Sequence, residues 1–300
     1  MAQNTVQLRD QDLRLAHIAE RMMGANAALC ASTMPLSGMV LHSADQYPDA
    51  VAGKMFGNGP LGVALVLPDS PAAHAGLRED DKIVIIAGVA VDERTPPEGG
   101  HLREVAFDVL AAQPAGVPVR IVAKRGNAVV EALVMAPPGC RALVEIVTGE
   151  GLMGRSDGRV IQISYNLAAM LDDDGLAVTF AHELAHVVLE HRRRLEAAGI
   201  DKGLLGEFGR NQQANRQVEV EADRLSAHLL ANAGYDPAIA PAFWNSVTGR
   251  RAGGGLMRSF VYPSATARGD LIAREIALYL PLGRGPSWPG HLLALRDGAF

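Results

Sequence analysis

The sequence has little of several features that would narrow its class. It has only 2 cysteines, 5% aromatic residues and a formal net charge of −5, so no positive surplus indicates binding to nucleic acid. The longest unbroken apolar run, residues 83–91, contains a glycine and is far shorter than the ~20 residues that span a bilayer. We therefore expect a soluble chain with no nucleic-acid partner and no transmembrane segment. No signal peptide is visible at its start.

The most specific stretch is His182-Glu183-Leu184-Ala185-His186. Two histidines at this spacing in a helix lie about 40° apart around the axis and about 6 Å apart along it, so both rings can reach one metal ion. Glu183 then lies beside the metal, where a carboxylate can take a proton from zinc-bound water. The pattern predicts one Zn²⁺ per chain, with His182 and His186 as ligands and Glu183 as the catalytic base. Two surface histidines on an ordinary helix are the structural alternative.

The surrounding residues predict one helix over residues 172–194. Asp172, Asp173 and Asp174 suit its positive N-terminal end, and positive charge follows at its C-terminal end. Apolar residues recur at three- and four-residue steps and predict burial: Leu176, Phe180, Leu184, Val187 and Val188. On one continuous helix, His191 lies about 140° from His186 and is expected to face solvent.

Residues 51–137 have a different sequence pattern, with alternating strand-like runs and glycine-rich turns. This segment resembles a PDZ domain of the bacterial protease type, most specifically in Ser-Pro-Ala-Ala-His-Ala-Gly-Leu at residues 70–77. The resemblance implies a carboxylate-binding loop at Gly59, Leu61 and Gly62, whose NH groups would hold the C-terminus of a peptide while the next strand pairs with it. The alternative is a PDZ fold that packs against the catalytic domain and binds no peptide.

A second acidic stretch, Glu219-Val-Glu-Ala-Asp-Arg224, follows the histidine motif. Together the two resemble the gluzincin metallopeptidases that include the CAAX prenyl endopeptidase and its soluble bacterial relatives. On a helix, Glu219 and Glu221 lie about 200° apart, so only one of them can face the metal, whereas Asp223 shares the face of Glu219. The resemblance implies that Glu219 is the third ligand and that Asp223 accepts the other ring NH of a bound histidine. Glu221 is then solvated or paired with an arginine.

Weaker expectations concern the other segments. The family pattern continues at Ser264 and Arg268, but Tyr262 departs from it. The polar residues 199–217 are expected to form a loop or lid. The strand at residues 160–164 either pairs with substrate or lies inside the sheet. His228 has no predicted role, and residues 286–300 are expected to be irregular.

These observations predict an α+β protein, with a mainly helical zincin-type catalytic domain, a small sheet and an inserted β-rich PDZ-like domain. The predicted boundaries are residues 1–50, 51–137 and 138–300, the first and last belonging to the peptidase domain. The predicted function is zinc-dependent hydrolysis of polypeptide substrates in protein quality control or processing. The alternative is a peptide-binding or chaperone-like protein whose metal site is structural or silenced.

The cysteines bear on the compartment. Cys30 and Cys140 flank the PDZ-like segment, and the resemblance to extracytoplasmic bacterial relatives implies that they form a disulfide. We therefore expect a periplasmic or secreted protein, with a cytoplasmic location expected instead if both thiols are free.

Overall fold

The computed structural model describes residues 2–57, 59–96, 98–149, 151–200, 209–252, 264–280 and 286–298. The chain divides into two compact units: residues 1–20 with 32–143, and residues 21–31 with 144–300. The first unit extends beyond the predicted segment 51–137 on both sides. The reason is strand pairing, since Met39–Ser43 joins the same sheet as Leu61–Val66. Helix α1 (Ala2–Ala25) contributes residues to both units.

The first unit is built around one antiparallel sheet. Its strands are β2 (Met39–Ser43), β3 (Leu61–Val66), β4 (Lys82–Ile86), β5 (Val89–Ala90), β6 (Val119–Arg125) and β7 (Ala128–Val134). They pair in the order β2-β3-β4-β6-β7, and β5 pairs with β4. A separate ribbon pairs β1 (Thr33–Pro35) with β8 (Pro138–Cys140). Strands β2 and β7 are therefore the edges of the sheet.

Three helices complete the first unit: α2 (Asp49–Met55), α3 (Pro71–His74) and α4 (Leu102–Ala111). Helix α3 begins after Ser70, whose side chain accepts a hydrogen bond from the NH of Ala73. The apolar core joins strand residues to one face of α4 and includes Leu61, Val63, Ile83, Ile86, Ala106, Leu110 and Ile121. Truncating a fully buried isoleucine of this core to alanine typically costs ~2–5 kcal/mol.

The second unit is mainly helical. Its small sheet has strands β9 (Leu143–Val147), β10 (Gly154–Ser156) and β11 (Val160–Ser164), in the order β10-β11-β9. Its helices are α5 (Tyr165–Met170), α6 (Asp173–Val188), α7 (His191–Ala197), α8 (Gly209–Asn232), α9 (Ile239–Asn245), α10 (Val247–Ala252), α11 (Ala265–Tyr279) and α12 (Gly290–Leu293). Helix α6 packs against α8, and α8 packs against α11.

Both cysteines are disulfide-bonded. Because the chain has no other cysteine, Cys30 and Cys140 are bonded to each other, which confirms the predicted pairing. The bond closes a loop of about 110 residues, and a loop of this length contributes ~4–5 kcal/mol in the chain-entropy model.

Among the described residues, no helix combines the length and the apolar composition that crossing a membrane requires.

Candidate metal centre

Helix α6 positions the histidine motif. Asp172 caps the helix, since its side chain accepts a hydrogen bond from the NH of Gly175 at 2.8 Å. Most of the helix is buried, and that includes His182, Glu183 and His186. The Nε2 atoms of the two histidines lie 3.3 Å apart. Both rings therefore point to one place, as the four-residue spacing requires.

Helix α8 brings Glu219 to the same place. Its Oε2 lies 3.2 Å from Nε2 of His182, and its Oε1 lies 3.7 Å from Nε2 of His186. One potential ligand atom from each of the three residues lies within 4.8 Å of the other two. Tetrahedral zinc with bonds of about 2.0–2.1 Å places its ligand atoms about 3.3–3.5 Å apart. Two of the separations, 3.2 and 3.3 Å, are close to that requirement, and the third, 3.7 Å, is a few tenths of an ångström longer.

The charge balance around His182 favours a cation. Burial and the nearby Arg268 guanidinium lower the pKa of His182, but hydrogen bonds to Asp223 and Glu219 more than offset them, and the pKa rises to about 9. A buried group holds a positive charge only where its surroundings stabilise that charge. Two imidazoles and a carboxylate are also the donor types that zinc prefers. The residues present therefore fit a zinc ion.

A carboxylate lies directly behind His182. Oδ1 of Asp223 is 3.0 Å from Nδ1 of His182, on the side of the ring away from Glu219. Arg268 donates two hydrogen bonds to Asp223, at 2.6 and 2.7 Å. The same guanidinium stacks on the ring of Trp244 at 3.5 Å. These contacts fix Asp223, and Asp223 fixes the orientation of His182.

A longer chain of contacts lies behind His186. Nδ1 of His186 is 2.8 Å from Nδ1 of His191, and Nε2 of His191 is 3.1 Å from Oε2 of Glu221. Arg194 donates a hydrogen bond of 2.6 Å to the same oxygen. Burial raises the pKa of Glu221, but hydrogen bonds from His191, Arg194 and Gln217 outweigh it, and the pKa falls to about 2. Each motif histidine therefore has a carboxylate behind it, one in direct contact and one through a third histidine.

The expectation that His191 faces solvent was wrong, because residues 172–194 do not form one helix. Helix α6 ends at Val188, Glu190 adopts a left-handed conformation with φ 51°, and α7 begins at His191. The angle of about 140° assumed an unbroken helix and does not apply. The turn brings His191 back against His186, and the exposed fraction of His191 is 1%. Glu221 is also buried rather than solvated, although its predicted arginine partner is present as Arg194.

Glu183 lies against strand β10. A Cβ atom added to Gly154 would be 3.0 Å from Oε1 of Glu183, so glycine leaves room for the carboxylate. Strand β10 is an edge of its sheet, whereas β11 at residues 160–164 pairs on both sides. The interior alternative for residues 160–164 is therefore the correct one. The strand edge nearest to Glu183 belongs to β10.

Part of this chain is similar to metalloendopeptidases. It is 28% identical over 139 residues to "Mitochondrial metalloendopeptidase OMA1" of Arabidopsis thaliana, which covers 39% of this chain and 27% of that protein. It is 28% identical over 144 residues to the protein of the same name from Schizosaccharomyces pombe, which covers 41% of this chain and 42% of that protein. No family model matches the chain.

The chain thus spans less than half the length of each of these relatives. The assignment to the CAAX prenyl endopeptidase relatives and the PDZ insertion stay predictions.

The predicted peptide-binding loop in the first unit has a different environment from the one expected. The strand that follows Gly59 is β3, which pairs with β2 on one side and with β4 on the other, so its first residues offer no free edge to a peptide. A Cβ atom on Gly62 would lie 2.9 Å from Nε2 of His42. A larger residue at this position would therefore have to displace the side chain of His42. The free edge in this region belongs to β2, and the NH of Gly38 just before it donates to the Glu20 carboxylate at 2.6 Å.

Other expectations fall partly outside the described residues. Tyr262 lies outside them, as do residues 201–208 of the predicted loop or lid. Residues 209–217 are the beginning of helix α8, so the loop prediction was wrong there. Arg268, which sequence analysis noted only as part of a weak match, proves to hold Asp223. The break in the helix before His191 could not be predicted from the sequence, because residues 187–194 contain no glycine or proline. The one indication of a role for His191 was the charged residues around it.

Proposed function

We propose that this protein is a zinc-dependent endopeptidase in which His182, His186 and Glu219 hold the ion and Glu183 is the general base. The observation that carries the proposal is the convergence of two imidazole nitrogens and a carboxylate, 3.2 to 3.7 Å apart, beside a buried glutamate. The partial similarity to metalloendopeptidases supports the same class of reaction.

The roles of the residues follow from their positions. Bound zinc supplies Lewis acidity, which polarises a scissile carbonyl and lowers the pKa of a water molecule to about 7. Glu183 accepts the proton of the attacking water on its carboxylate and passes it to the leaving amine. Asp223 accepts the NH at Nδ1 of His182, which keeps the lone pair of Nε2 directed to the ion. His191 serves His186 in the same way, with Glu221 behind it.

Strand β10 is our candidate for substrate alignment. It is the edge strand beside Glu183, and an extended polypeptide can pair with such an edge through backbone hydrogen bonds. Backbone pairing holds many sequences in the same way, which suits an enzyme acting on unfolded segments of different proteins. We therefore assign its function to protein quality control or processing, in an oxidising, extracytoplasmic compartment where the bond between Cys30 and Cys140 persists.

The test compares four forms of the chain: wild type, Glu183→Gln, Glu219→Ala and the control Glu196→Gln on the exposed surface of α7. Zinc content and cleavage of an unfolded protein substrate are measured for each. We expect Glu183→Gln to keep its zinc and to lose about 10²–10⁴-fold in kcat. Glu219→Ala should lose both zinc from this site and activity, and Glu196→Gln should retain both.

The experiment also addresses the alternative function. Full activity in Glu183→Gln would contradict the role of the base. A wild-type chain that binds unfolded protein and holds zinc, but shows no cleavage that depends on Glu183, would instead favour the peptide-binding or chaperone-like alternative.

A further inference from the structure

A second convergence of histidine and glutamate side chains lies elsewhere in the second unit. It consists of His228 on α8, Glu275 on α11 and His291 on α12, each with a potential ligand atom within 4.8 Å of the others. Oε1 of Glu275 lies 3.1 Å from Nε2 of His228 and 2.7 Å from Nε2 of His291. His228 and Glu275 are buried, whereas His291 reaches the surface. Two imidazole nitrogens thus face one carboxylate oxygen.

The far side of each residue is held by another group. Nδ1 of His228 lies 2.6 Å from Oγ of Ser287, and Arg224 donates a 2.6 Å hydrogen bond to Oε2 of Glu275. The ring of His291 stacks on Tyr279, with 3.9 Å between the ring centres. These contacts orient Nε2 of His228 and Oε1 of Glu275 toward the same point. Outer contacts of this kind orient the ligands of metal sites.

We propose that His228, Glu275 and His291 form a second binding site for a divalent transition metal, with Zn²⁺ as the ion that this donor set suits best. Two imidazoles and one carboxylate are a recurrent set of zinc ligands. The burial of His228 and Glu275 limits competition from water, and the exposed side of His291 leaves a fourth position open to solvent. Arg224 donates its hydrogen bond to Oε2 of Glu275, and Oε1 remains on the side of the two imidazoles.

The geometry also indicates what must move. Ligand atoms around tetrahedral zinc lie about 3.3–3.5 Å apart, so the 2.7 Å separation between Glu275 and His291 has to widen by several tenths of an ångström. His291 can provide this movement, because it lies near the surface on the four-residue helix α12. The buried pair, His228 and Glu275, is already at 3.1 Å. Only the outer ligand therefore has to adjust.

This second site is separate from the candidate metal centre. Glu219 and His228 are nine residues apart on α8, which places them about 13.5 Å apart along the axis and about 180° apart around it. His228 is followed by Leu229 and Leu230 rather than by a carboxylate that could act as a base. We therefore assign to the second ion a structural role, in which it links α8, α11 and α12.

The test counts zinc in the full chain, prepared without a histidine tag, stripped with chelator and titrated with Zn²⁺. Native mass spectrometry and elemental analysis give the number of ions per chain. We expect two in the wild type, one in His291→Ala, one in Glu219→Ala and none in the double variant. His74→Ala is the matched control, since His74 is also exposed on a four-residue helix, and it should keep two.

The outcomes separate this site from the proposed function. One ion in the wild type that is lost in Glu219→Ala but kept in His291→Ala would overturn the second site and leave the proposed active site intact. One ion that is lost in His291→Ala but kept in Glu219→Ala would support the second site and contradict the catalytic one. Two ions in both the wild type and His291→Ala would also overturn the proposal, because the second ion would then be held by other residues.

Discussion

The two units bury different kinds of side chains. The core of the first is almost entirely apolar, and among its described residues the buried ionisable ones are few: His42, Asp81, Lys82 and Arg103. The second unit buries many more ionisable groups: Glu145, His182, Glu183, His186, His191, Arg194, Glu219, Glu221, Asp223, His228, Arg268 and Glu275. Burying charge costs free energy that pairing offsets only in part, and apolar residues in the same places often stabilise a protein more.

The difference in buried side chains distinguishes residues that stabilise the fold from residues that can carry out chemistry. A small apolar core such as that of the first unit needs no buried ions to hold its sheet together. Several ions of the second unit are paired with an opposite charge, as in Asp223 with Arg268 and Glu221 with Arg194. Groups that stability alone would not select, arranged around one point, are typical of a functional site.

The largest expected effect is on the free energy of unfolding, and it should leave metal binding unchanged. Replacing both Cys30 and Cys140 by serine should lower the free energy of unfolding by about 4–5 kcal/mol, because the unfolded chain loses a crosslink that closes about 110 residues. Chemical denaturation measures this change. Zinc bound at the candidate metal centre should stay at one equivalent in the folded variant, since its residues lie outside the loop. Loss of that zinc from the folded variant would show that the metal centre depends on the disulfide, and would contradict the prediction.

A smaller effect is expected on metal affinity when the carboxylates behind the two motif histidines are replaced. Asp223→Asn removes the negative charge from the direct acceptor of His182, and Glu221→Gln weakens the contact that His191 makes for His186. Outer partners of metal ligands typically contribute 10–100-fold to metal affinity. We expect Asp223→Asn to lie near the upper end of this range and Glu221→Gln near the lower end. Competition with a chelator gives both affinities, and a larger loss in Glu221→Gln would reverse the ranking.

The smallest expected effect is a loss of stability at low pH, caused by His42 in the first unit. Burial and the charge of Lys82 lower the pKa of His42 from 6.5 to about 4, although Asp80 raises it. Below pH 6.5 the imidazole of His42 is therefore protonated in the unfolded chain but still neutral in the folded chain. The free energy of unfolding falls as the pH falls toward 4. The expected loss at pH 5, relative to pH 8, is about 2 kcal/mol. It is measured by denaturation at each pH.

His42→Gln provides the control, because a neutral amide can still face the hydroxyl of Tyr47, which lies 3.0 Å from Nδ1 of His42. The variant should lack the part of the pH dependence that His42 causes. An unchanged difference between pH 8 and pH 5 would assign the acid sensitivity to other groups, including the buried ions of the second unit.

Local pattern predicted much of the fold. The strand predicted at residues 160–164 matches β11 to the residue, and the acidic N-terminus predicted from Asp172 is the N-cap of α6. The helical spacing of the motif also predicted that the rings of His182 and His186 meet, and their Nε2 atoms lie 3.3 Å apart. These features depend on residues that lie near each other in the chain, or on the regular geometry of one helix.

Long-range contacts account for what local pattern missed. The break after α6 occurs without glycine or proline, and it is held by buried contacts of His191 and Arg194 with Glu221, some 30 residues away. His228 meets Glu275 and His291 from three different helices, so no spacing in the sequence connects them. The order of the strands around β3 and β11 likewise depends on pairings that hydrophobic alternation does not specify.

The left-handed turn at Glu190 has a consequence for recognising this site in other sequences. Because the turn sets how far the chain travels before it comes back to His186, a single inserted or deleted residue there would move His191 out of its 2.8 Å contact with Nδ1 of His186. The useful search pattern is therefore longer than the five-residue motif: His-Glu-x-x-His, four residues, a third histidine, and later Glu-x-Glu-x-Asp. A chain that keeps the first motif but shifts the third histidine by one position should need a different support behind its second zinc ligand.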